Sequence, residues 1–510
     1  MKQLESQFQK DDLIEQSARM IFMPVPSDHD DKTYVAEKVA TQPSSIQEKV
    51  IHPEVLKYWK KVFLIPKPFI EVVASSLGYW ECAVEGEREL FFFLSEVTSQ
   101  SYRIEEGTDN PYAPCNADLN SVRASMQVLA ASGATFDPVL STAYSEVRLD
   151  KDTGRYILRV GTTYKGKILF AKANGLIKDV WVGLVYSKDR FEWRGKDSMP
   201  VHIYDPFSPI SERGNLVAGY AVTVLAEQQS MSHLVMASEL EALLDMSLHK
   251  NIVSNWKQKM LAKCVVNQAE QTWHYFIAPE KESDEKVHRN KASGVRARLQ
   301  PFLNVYQLNT QREKVVNAVS YGASFFQSEQ SMLREAESML MAVYANEGLA
   351  QTTSYSIATI IMALDKYGLS ISSGKDQVYA YASSEKGGIR TAQMGVMYKG
   401  FREIAFNQTF KSLLPPVDKI DYQVVRQNDK FVFQGRYKKP TFESGPISNR
   451  GEIIGGYVVA HRGQGHIVTC VSKEIMDRVS DCSRNDALRV KWPEKYAIKT
   501  ILRQSFMDWV

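Results

Sequence analysis

The sequence predicts a duplicated mixed α/β module, one copy over about residues 117–275 and the other over about 353–510. Three observations predict it. Four landmarks recur in the same order, their offset holds near 234–237 residues, and each copy alternates helical periodicity with short strand-like runs.

The first 50 residues are polar, with Asp28-His29-Asp30-Asp31 and Gln42-Pro43-Ser44-Ser45, and are expected to be a mobile arm. Residues 51–116 are expected to be helical: Leu56, Trp59 and Phe63 recur at near-helical spacing until Pro66 and Pro68 break the run. The first copy is assigned to residues 117–279. Residues 280–310 follow as a charged linker, since Glu280 to Leu299 are nearly all charged or small. The second copy, with its leading helices, takes residues 311–510. Among those leading helices, 329–346 has Met332, Ala336 and Met339–Leu340 as its apolar face, a counterpart in place to the stretch near 85–103.

Each copy opens with an amphipathic helix that stops at a glycine. Leu119, Val122, Met126 and Leu129 lead to Gly133, and Ile357, Ile360, Ile361 and Leu364 lead to Gly368. Glycine suits a helix end that needs a left-handed residue. Gly-x-x-Tyr-Lys-Gly follows, as Gly161-x-x-Tyr164-Lys165-Gly166 and Gly395-x-x-Tyr398-Lys399-Gly400. Strand-like segments come next, Arg190 to Trp193 and Lys430 to Phe433. Then Pro209-Ile210-Ser211-Glu212-Arg213-Gly214 recurs as Pro446-Ile447-Ser448-Asn449-Arg450-Gly451, and Gly219-Tyr220 and Gly456-Tyr457 sit inside the apolar runs that follow. A closing helix bracketed by tryptophans ends each copy, Trp256 to Trp273 and Trp492 to Trp509.

Composition narrows the function classes. No basic segment followed by an apolar run opens the chain, and no stretch approaches the ~18 apolar residues of a spanning helix. The five cysteines are widely spaced without a CxxC pair, which points to a reducing, cytoplasmic setting and away from a structural zinc site. Charge is uneven: residues 1–116 carry 12 Lys/Arg against 19 Asp/Glu, whereas 353–510 carry 23 against 15. A basic module on an acidic leader fits contact with a polyanion, and equally fits uneven solvated surface.

Candidate binding residues lie on the repeated landmarks. In the closing helix Ile498, Ile501, Leu502, Ser505 and Trp509 make a stripe that should face the core. Lys495, Lys499 and Arg503 follow every four residues on a neighbouring face, about 6 Å apart, near the phosphate spacing of an extended single strand. A solvated lysine face would look the same. The first copy keeps Lys259 and Lys263 and has Asn267 in the third place. Tyr398, Lys399, Phe401 and Arg402 place two aromatics and two cations around Gly400, suited to stacking on bases and holding phosphates; Tyr164 and Lys165 repeat the pattern in part. The alternative for both is a strand-to-helix turn with glycine at an unusual backbone angle. Arg213 and Arg450 sit beside glycines, placed to clamp phosphate or to cap a carbonyl-rich end.

The order of these motifs resembles the RecT/Red-beta family of single-strand annealing proteins. The second copy carries it best, with Tyr398-Lys399-Gly400, Asp429, Phe431, Gly451, Gly456-Tyr457, Ser472–Ile475, Trp492 and Lys499-Thr500. The first is similar through Tyr164-Lys165-Gly166, Asp189, Phe191, Gly214, Gly219-Tyr220, Trp256 and Lys263-Cys264. The resemblance implies an α+β fold: in each copy a small antiparallel β-sheet backed by helices, here preceded by a helical N-terminal region. It also implies ATP-independent annealing of complementary strands in phage-type homologous recombination, through an annealed duplex intermediate, and assembly of a homo-oligomer as a ring or helical filament. Expected partners are single-stranded DNA, a 5′→3′ exonuclease and a single-strand-binding protein. No cofactor is required, and Mg²⁺ enters only as a candidate aid to annealing.

No enzyme pattern competes. Gly368 to Asp376 has a Gly-Lys pair at the wrong spacing for a phosphate loop, and Gly463-Gln464-Gly465 lacks the third glycine of a dinucleotide fingerprint. No HExxH or Glu-x-Lys occurs, and His461 and His466 have a spacing that suits structure better than metal ligation. The expectation is therefore a non-enzymatic annealing protein without catalytic or metal-ligating residues. The alternatives are a scaffold on the same fold that binds protein, and a nucleic-acid enzyme with an unrecognised site.

Overall fold

The computed structural model describes residues 50–509, apart from 152, 174–176, 226–228, 246–249, 271–272, 274–290, 306–312, 373, 384–387, 408–415, 447–448, 482–489 and 491. The expected N-terminal arm, except Val50, lies outside the described residues. So do the first part of the expected linker, Ile447, Ser448 and Cys482.

Three helices lead the chain: α1 (Pro53–Val62), α2 (Lys67–Ser75) and α3 (Ala83–Arg103). The first copy then runs α4 (Leu119–Ser132), β1 (Ala143–Leu149), β2 (Tyr156–Thr162), α5 (Tyr164–Ala173), β3 (Ile177–Tyr186), β4 (Arg190–Glu192) and β5 (Val201–Ile203). It continues with the single turn α6 (Ile210–Arg213), β6 (Leu216–Leu225), β7 (Ser230–Met236), α7 (Ala237–Asp245) and α8 (Lys250–Glu270). Helices α9 (Ala292–Val305), α10 (Glu313–Ala323), α11 (Glu329–Ala345) and α12 (Glu347–Ala350) lead into the second copy. That copy repeats the order as α13 (Ser354–Tyr367), β8 (Val378–Ala382), β9 (Ala392–Val396), α14 (Tyr398–Asn407), β10 (Lys419–Arg426), β11 (Lys430–Val432) and β12 (Thr441–Glu443). It ends with β13 (Ile453–Arg462), β14 (Gly465–Ser472), α15 (Lys473–Asp481) and α16 (Pro493–Trp509).

The duplication is therefore structural as well as sequential. Each copy has a hairpin (β1-β2, β8-β9), a second short hairpin (β4-β5, β11-β12) and an antiparallel three-stranded sheet in the order β3-β6-β7 or β10-β13-β14. This is the α+β architecture expected, small antiparallel sheets backed by helices after a helical N-terminal region. The opening helices end as expected: Gly133 and Gly368 both sit in the left-handed region, at φ 57° and 62°. Leu119 departs from the expected apolar stripe, because it lies in the first turn of α4 and faces solvent.

The chain divides into two compact units, cut differently from the two copies. One gathers 174–279 with 432–435; the other gathers 48–173, 280–431 and 436–510. In the first unit, Val185, Ala218, Tyr220, Val222 and Val224 form a buried cluster on the β3-β6-β7 sheet. In the second, the leading helices and parts of both copies share a single core, into which Trp59, Phe63, Phe91, Phe93, Tyr355 and Trp509 are fully or almost fully buried. Both opening helices contribute to that core: α4 buries Val122, Met126 and Leu129, and α13 buries Ile357, Ile360, Ile361 and Leu364.

Polar pairs inside the second unit tie the leading helix α3 to α13. Arg88 pairs with Asp365 at 2.6 Å, and Lys366 donates to Glu89 at 2.7 Å and to Asp137 at 2.9 Å. The linker expectation needs correction over 292–305. Val295, Leu299 and Leu303 are fully buried, so this segment is the helix α9 and part of the core. Its apolar residues fall every four positions, and charged neighbours conceal the pattern in composition.

Candidate nucleic-acid interface

The closing helices are seated by glycines on the strands beneath them. A Cβ on Gly456 of β13 would lie 2.2 Å from Ile501 Cδ1, and one on Gly219 of β6 would lie 2.5 Å from Val265 Cγ2. The Gly-Tyr landmark is thus the place where helix meets sheet most closely. In α16, Ile501, Leu502, Ser505 and Trp509 are buried and Ile498 packs partly against the same core, as their spacing predicts. Thr500 is buried too, its hydroxyl donating to the Tyr496 carbonyl at 2.9 Å. In α8, Leu261, Val265 and Val266 are buried, and burial pushes the Cys264 thiol up to about 11.

That seating turns the cation row outward. Lys495 and Arg503 are exposed and Lys499 is half-buried between them. The Lys495 ammonium stands 4.4 Å from the centre of the Trp492 ring, itself exposed. Burial, and next the charge of Arg503, push the Lys499 pKa down. Among the described residues, none of the three makes an ion pair with a carboxylate. In α8 Lys259 is exposed and Lys263 half-buried, with Asn267 half-buried at the third place.

The Tyr-Lys-Gly landmark starts a helix in both copies, α5 and α14. Its glycine answers to space rather than to backbone angle. A Cβ on Gly400 would lie 2.4 Å from the Gln377 carbonyl oxygen, and one on Gly166 would lie 2.8 Å from that of Thr142. Neither glycine has a positive φ. The helix start is pinned to its hairpin by matching bonds, Met397 N–H to Gln377 O at 2.8 Å and Thr163 N–H to Thr142 O at 2.7 Å.

Around this shared frame the side chains differ. Lys399 pairs with Asp376 at 2.9 Å, and Tyr398 is half-buried. The Arg402 guanidinium lies 5.5 Å from the centre of the Phe406 ring, and its Nε is buried without a hydrogen-bond partner. In the first copy burial, and then the charge of Asp508, push the Tyr164 phenol up to about 12. Burial, opposed by Asp508 and helped by Arg503, pushes the Lys165 pKa down. Lys165 therefore feels the closing helix of the second copy, within one compact unit. Asp508 also accepts from Thr469 at 2.6 Å and pairs with Arg436 at 3.4 Å.

Of the two expectations for Arg213 and Arg450, phosphate clamp or carbonyl cap, Arg213 meets the second in part, its Nη2 donating to the Leu184 carbonyl at 3.3 Å. Both arginines have a further partner. Each makes a two-pronged pair with an aspartate from the preceding tight turn. Arg213 reaches Asp189 at 3.0 Å (Nε) and 2.5 Å (Nη2); Arg450 reaches Asp429 at 3.0 Å and 2.6 Å. Both aspartates are buried. Burial works against ionisation of Asp429, yet Arg450 and the N–H groups of Gly445 and Arg426 hold its carboxyl down to about 2. Asp189 is likewise lowered, against its burial, by Arg213, His202 and the Tyr186 N–H. These arginines close a loop, and the glycines after them take positive φ, 88° at Gly214 and 76° at Gly451.

Two features escaped the sequence reading. Tyr379 and Tyr381 stand exposed and stacked on β8, signalled only by the alternation in Val378-Tyr379-Ala380-Tyr381-Ala382. On the acidic leader, Lys57, Lys60, Lys61 and Lys67 border one concavity with Pro53 and Leu56. Among the described residues, no group of three His, Cys, Asp or Glu is arranged to hold a metal ion, and no helix is long and apolar enough to cross a membrane.

The fold and the site together define a duplicated α+β module whose second copy closes with a cationic helix. The family model for the RecT family matches the chain twice, over residues 115–276 and 332–510. The chain belongs to the RecT family and carries two tandem copies of its module. No curated protein matches it. Membership makes it a recombination and annealing protein in general terms.

Proposed function

We propose that the protein binds single-stranded DNA and anneals complementary strands without ATP, with the second copy as the main binding unit. The observation that carries this reading is the row Lys495, Lys499 and Arg503. These cations have no carboxylate partner among the described residues, whereas Lys399, Arg213 and Arg450 are each engaged by an aspartate. Unpaired cations on a rigid, core-packed helix are free to replace the counterions of a phosphate chain. Lys165, half-buried and under the influence of both Arg503 and Asp508, and Arg402 complete the proposed set. Annealing needs no nucleophile, only that two strands be held with bases exposed while phosphate repulsion is offset. A homo-oligomeric ring or filament fed by a 5′→3′ exonuclease completes the proposal.

The test is a gel-shift and strand-annealing assay without nucleotide, run with and without Mg²⁺ across a salt series. Affinity for unrelated oligonucleotides should fall with a log–log slope of about −0.7 per neutralised phosphate. A salt-insensitive affinity, or a strict ATP requirement, would sink the proposal.

A further inference from the structure

We propose that Tyr379 and Tyr381 form a base-stacking platform for single-stranded DNA, a binding site separate from the cation row of α16. The inference rests on the function proposed above and adds the bases to a picture so far built on phosphates.

The platform begins at Gly395. Tyr379 faces this glycine across the β8-β9 hairpin, and its ring occupies the space a side chain would fill: a Cβ on Gly395 would lie 2.2 Å from Tyr379 Cζ. The ring is thereby held against the backbone. Tyr381, two residues on and so on the same face of the strand, continues the row. The two ring centres are 5.7 Å apart at 29°, a stacked arrangement, and the residues remain 39% and 41% exposed. Aromatic ring surface that stays partly in water is suited to stacking, and base faces of any sequence can cover it.

Charge favours nucleic acid over an apolar protein segment as the occupant. Neither β8 nor β9 carries a charged residue. The start of α14, pinned to the root of β8 through Gln377, brings Lys399, paired there with the exposed Asp376, and Arg402 follows one turn later. Lys375 is exposed at the same root. An uncharged aromatic strip with cations at one end matches a strand that offers bases along the strip and phosphates beside it.

The first copy supplies an internal control. Tyr144 faces Gly161 as Tyr379 faces Gly395, and is likewise exposed. The position of Tyr381, however, is held by Glu146, which pairs with Arg148 at 2.8 Å. A carboxylate in that place repels phosphate and offers no stacking face, so the platform belongs to the second copy alone.

The experiment compares a base-bearing oligonucleotide with an abasic one of equal length, using the full chain, Tyr381→Ala, Tyr381→Glu and Tyr381→Phe. Tyr381→Ala and Tyr381→Glu should weaken binding of the base-bearing strand by about five- to a hundredfold. Both should leave the abasic strand almost untouched, and Tyr381→Phe should retain parental binding. In the unaltered chain, irradiation with a bromodeoxyuridine oligonucleotide should crosslink Tyr379 or Tyr381, which decides the matter even if a variant fails to fold. Equal losses on both strands, or crosslinks that avoid the hairpin, overturn the platform. So does unchanged DNA binding with a fall in oligomer mass, which would make this face an interface between copies of the chain. If the parent binds and Tyr381→Ala matches it, the platform alone fails; if the parent binds neither strand, the proposed function fails with it.

Discussion

On β5 the first copy carries His202, and at the same place on β12 the second carries Phe442. Both side chains pack beside the tyrosine of the Gly-Tyr landmark: His202 Nδ1 lies 3.1 Å from Tyr220 Oη, and the Phe442 and Tyr457 rings are 6.0 Å apart. His202 Nε2 also lies 3.0 Å from Asp189 Oδ2. In the second copy the matching aspartate, Asp429, takes its extra hydrogen bond from the backbone of Gly445 instead, at 2.8 Å. The two modules thus solve one problem, an aspartate buried beside an arginine, with different partners. Their surfaces diverge further: Arg503 against Asn267 on the closing helix, Tyr381 against Glu146 on the hairpin, Arg402 against Ile168 after the Tyr-Lys-Gly. What the copies share is mostly frame. What differs is mostly outward-facing, and the second copy gains cations and aromatics there.

The largest expected effect tests the shared frame. Asp189→Asn and Asp429→Asn each leave an arginine without its carboxylate beside a buried polar site, and should each destabilise the fold by about 3 kcal/mol. Chemical denaturation of both variants checks this. Losses of similar size would establish the pair as a common closure. Parental stability combined with altered DNA binding would instead return Arg213 and Arg450 to the phosphate-binding set.

The next effect tests the divergence of the closing helices. Lys499→Ala with Arg503→Ala should weaken single-strand binding by more than about tenfold near 0.1 M salt and make the salt slope shallower by about 0.7 for each lost contact. Lys259→Ala with Lys263→Ala should do much less. The measurement is a salt titration of both double variants beside the parent, after circular dichroism shows each folded. Equal losses would mean that both closing helices contribute equally to binding, and a larger loss from the first pair would reverse the division of labour.

Much of the frame was legible because it rests on local rules. Gly133 and Gly368 end helices in the left-handed region, and the α16 stripe faces the core, both read from spacing alone. Other features were hidden because their cause lies far along the chain. Gly166 and Gly400 are required by carbonyl oxygens more than 20 residues upstream, Thr142 and Gln377, rather than by their own dihedral angles. Arg213 and Arg450 looked free because Asp189 and Asp429 lie 24 and 21 residues earlier. Tyr381 was overlooked because an alternating Tyr-Ala strand reads equally well as half-buried packing. Its 41% exposure is a property of the folded hairpin, which the alternation alone does not fix.

The smallest effect concerns acid, and it separates the copies at His202. The ring is nearly inaccessible, and burial, opposed by Asp189 and helped by Arg213, lowers its pKa below the ordinary value of about 6.5. The groups facing it are Asp189, Arg213, Tyr204 and Tyr220. A lowered folded-state pKa means that the unfolded chain takes up the proton first as pH falls. Stability contributed by neutral His202 is therefore full above about pH 6.5 and is lost progressively as pH drops from there through the folded value. The second copy has Phe442 in that place and nothing there to titrate, although burial, and then His461 and Lys439, lower its His466 on β14. His202→Phe should then flatten the fall in stability just below pH 6.5 without abolishing it, because His233 in the same unit is also lowered, by burial and then Lys196. Urea denaturation of parent and variant at a series of pH values measures the difference. An unchanged slope would mean that Asp189 stabilises the protonated ring as fully as burial penalises it, and that the histidine and the phenylalanine are interchangeable as packing.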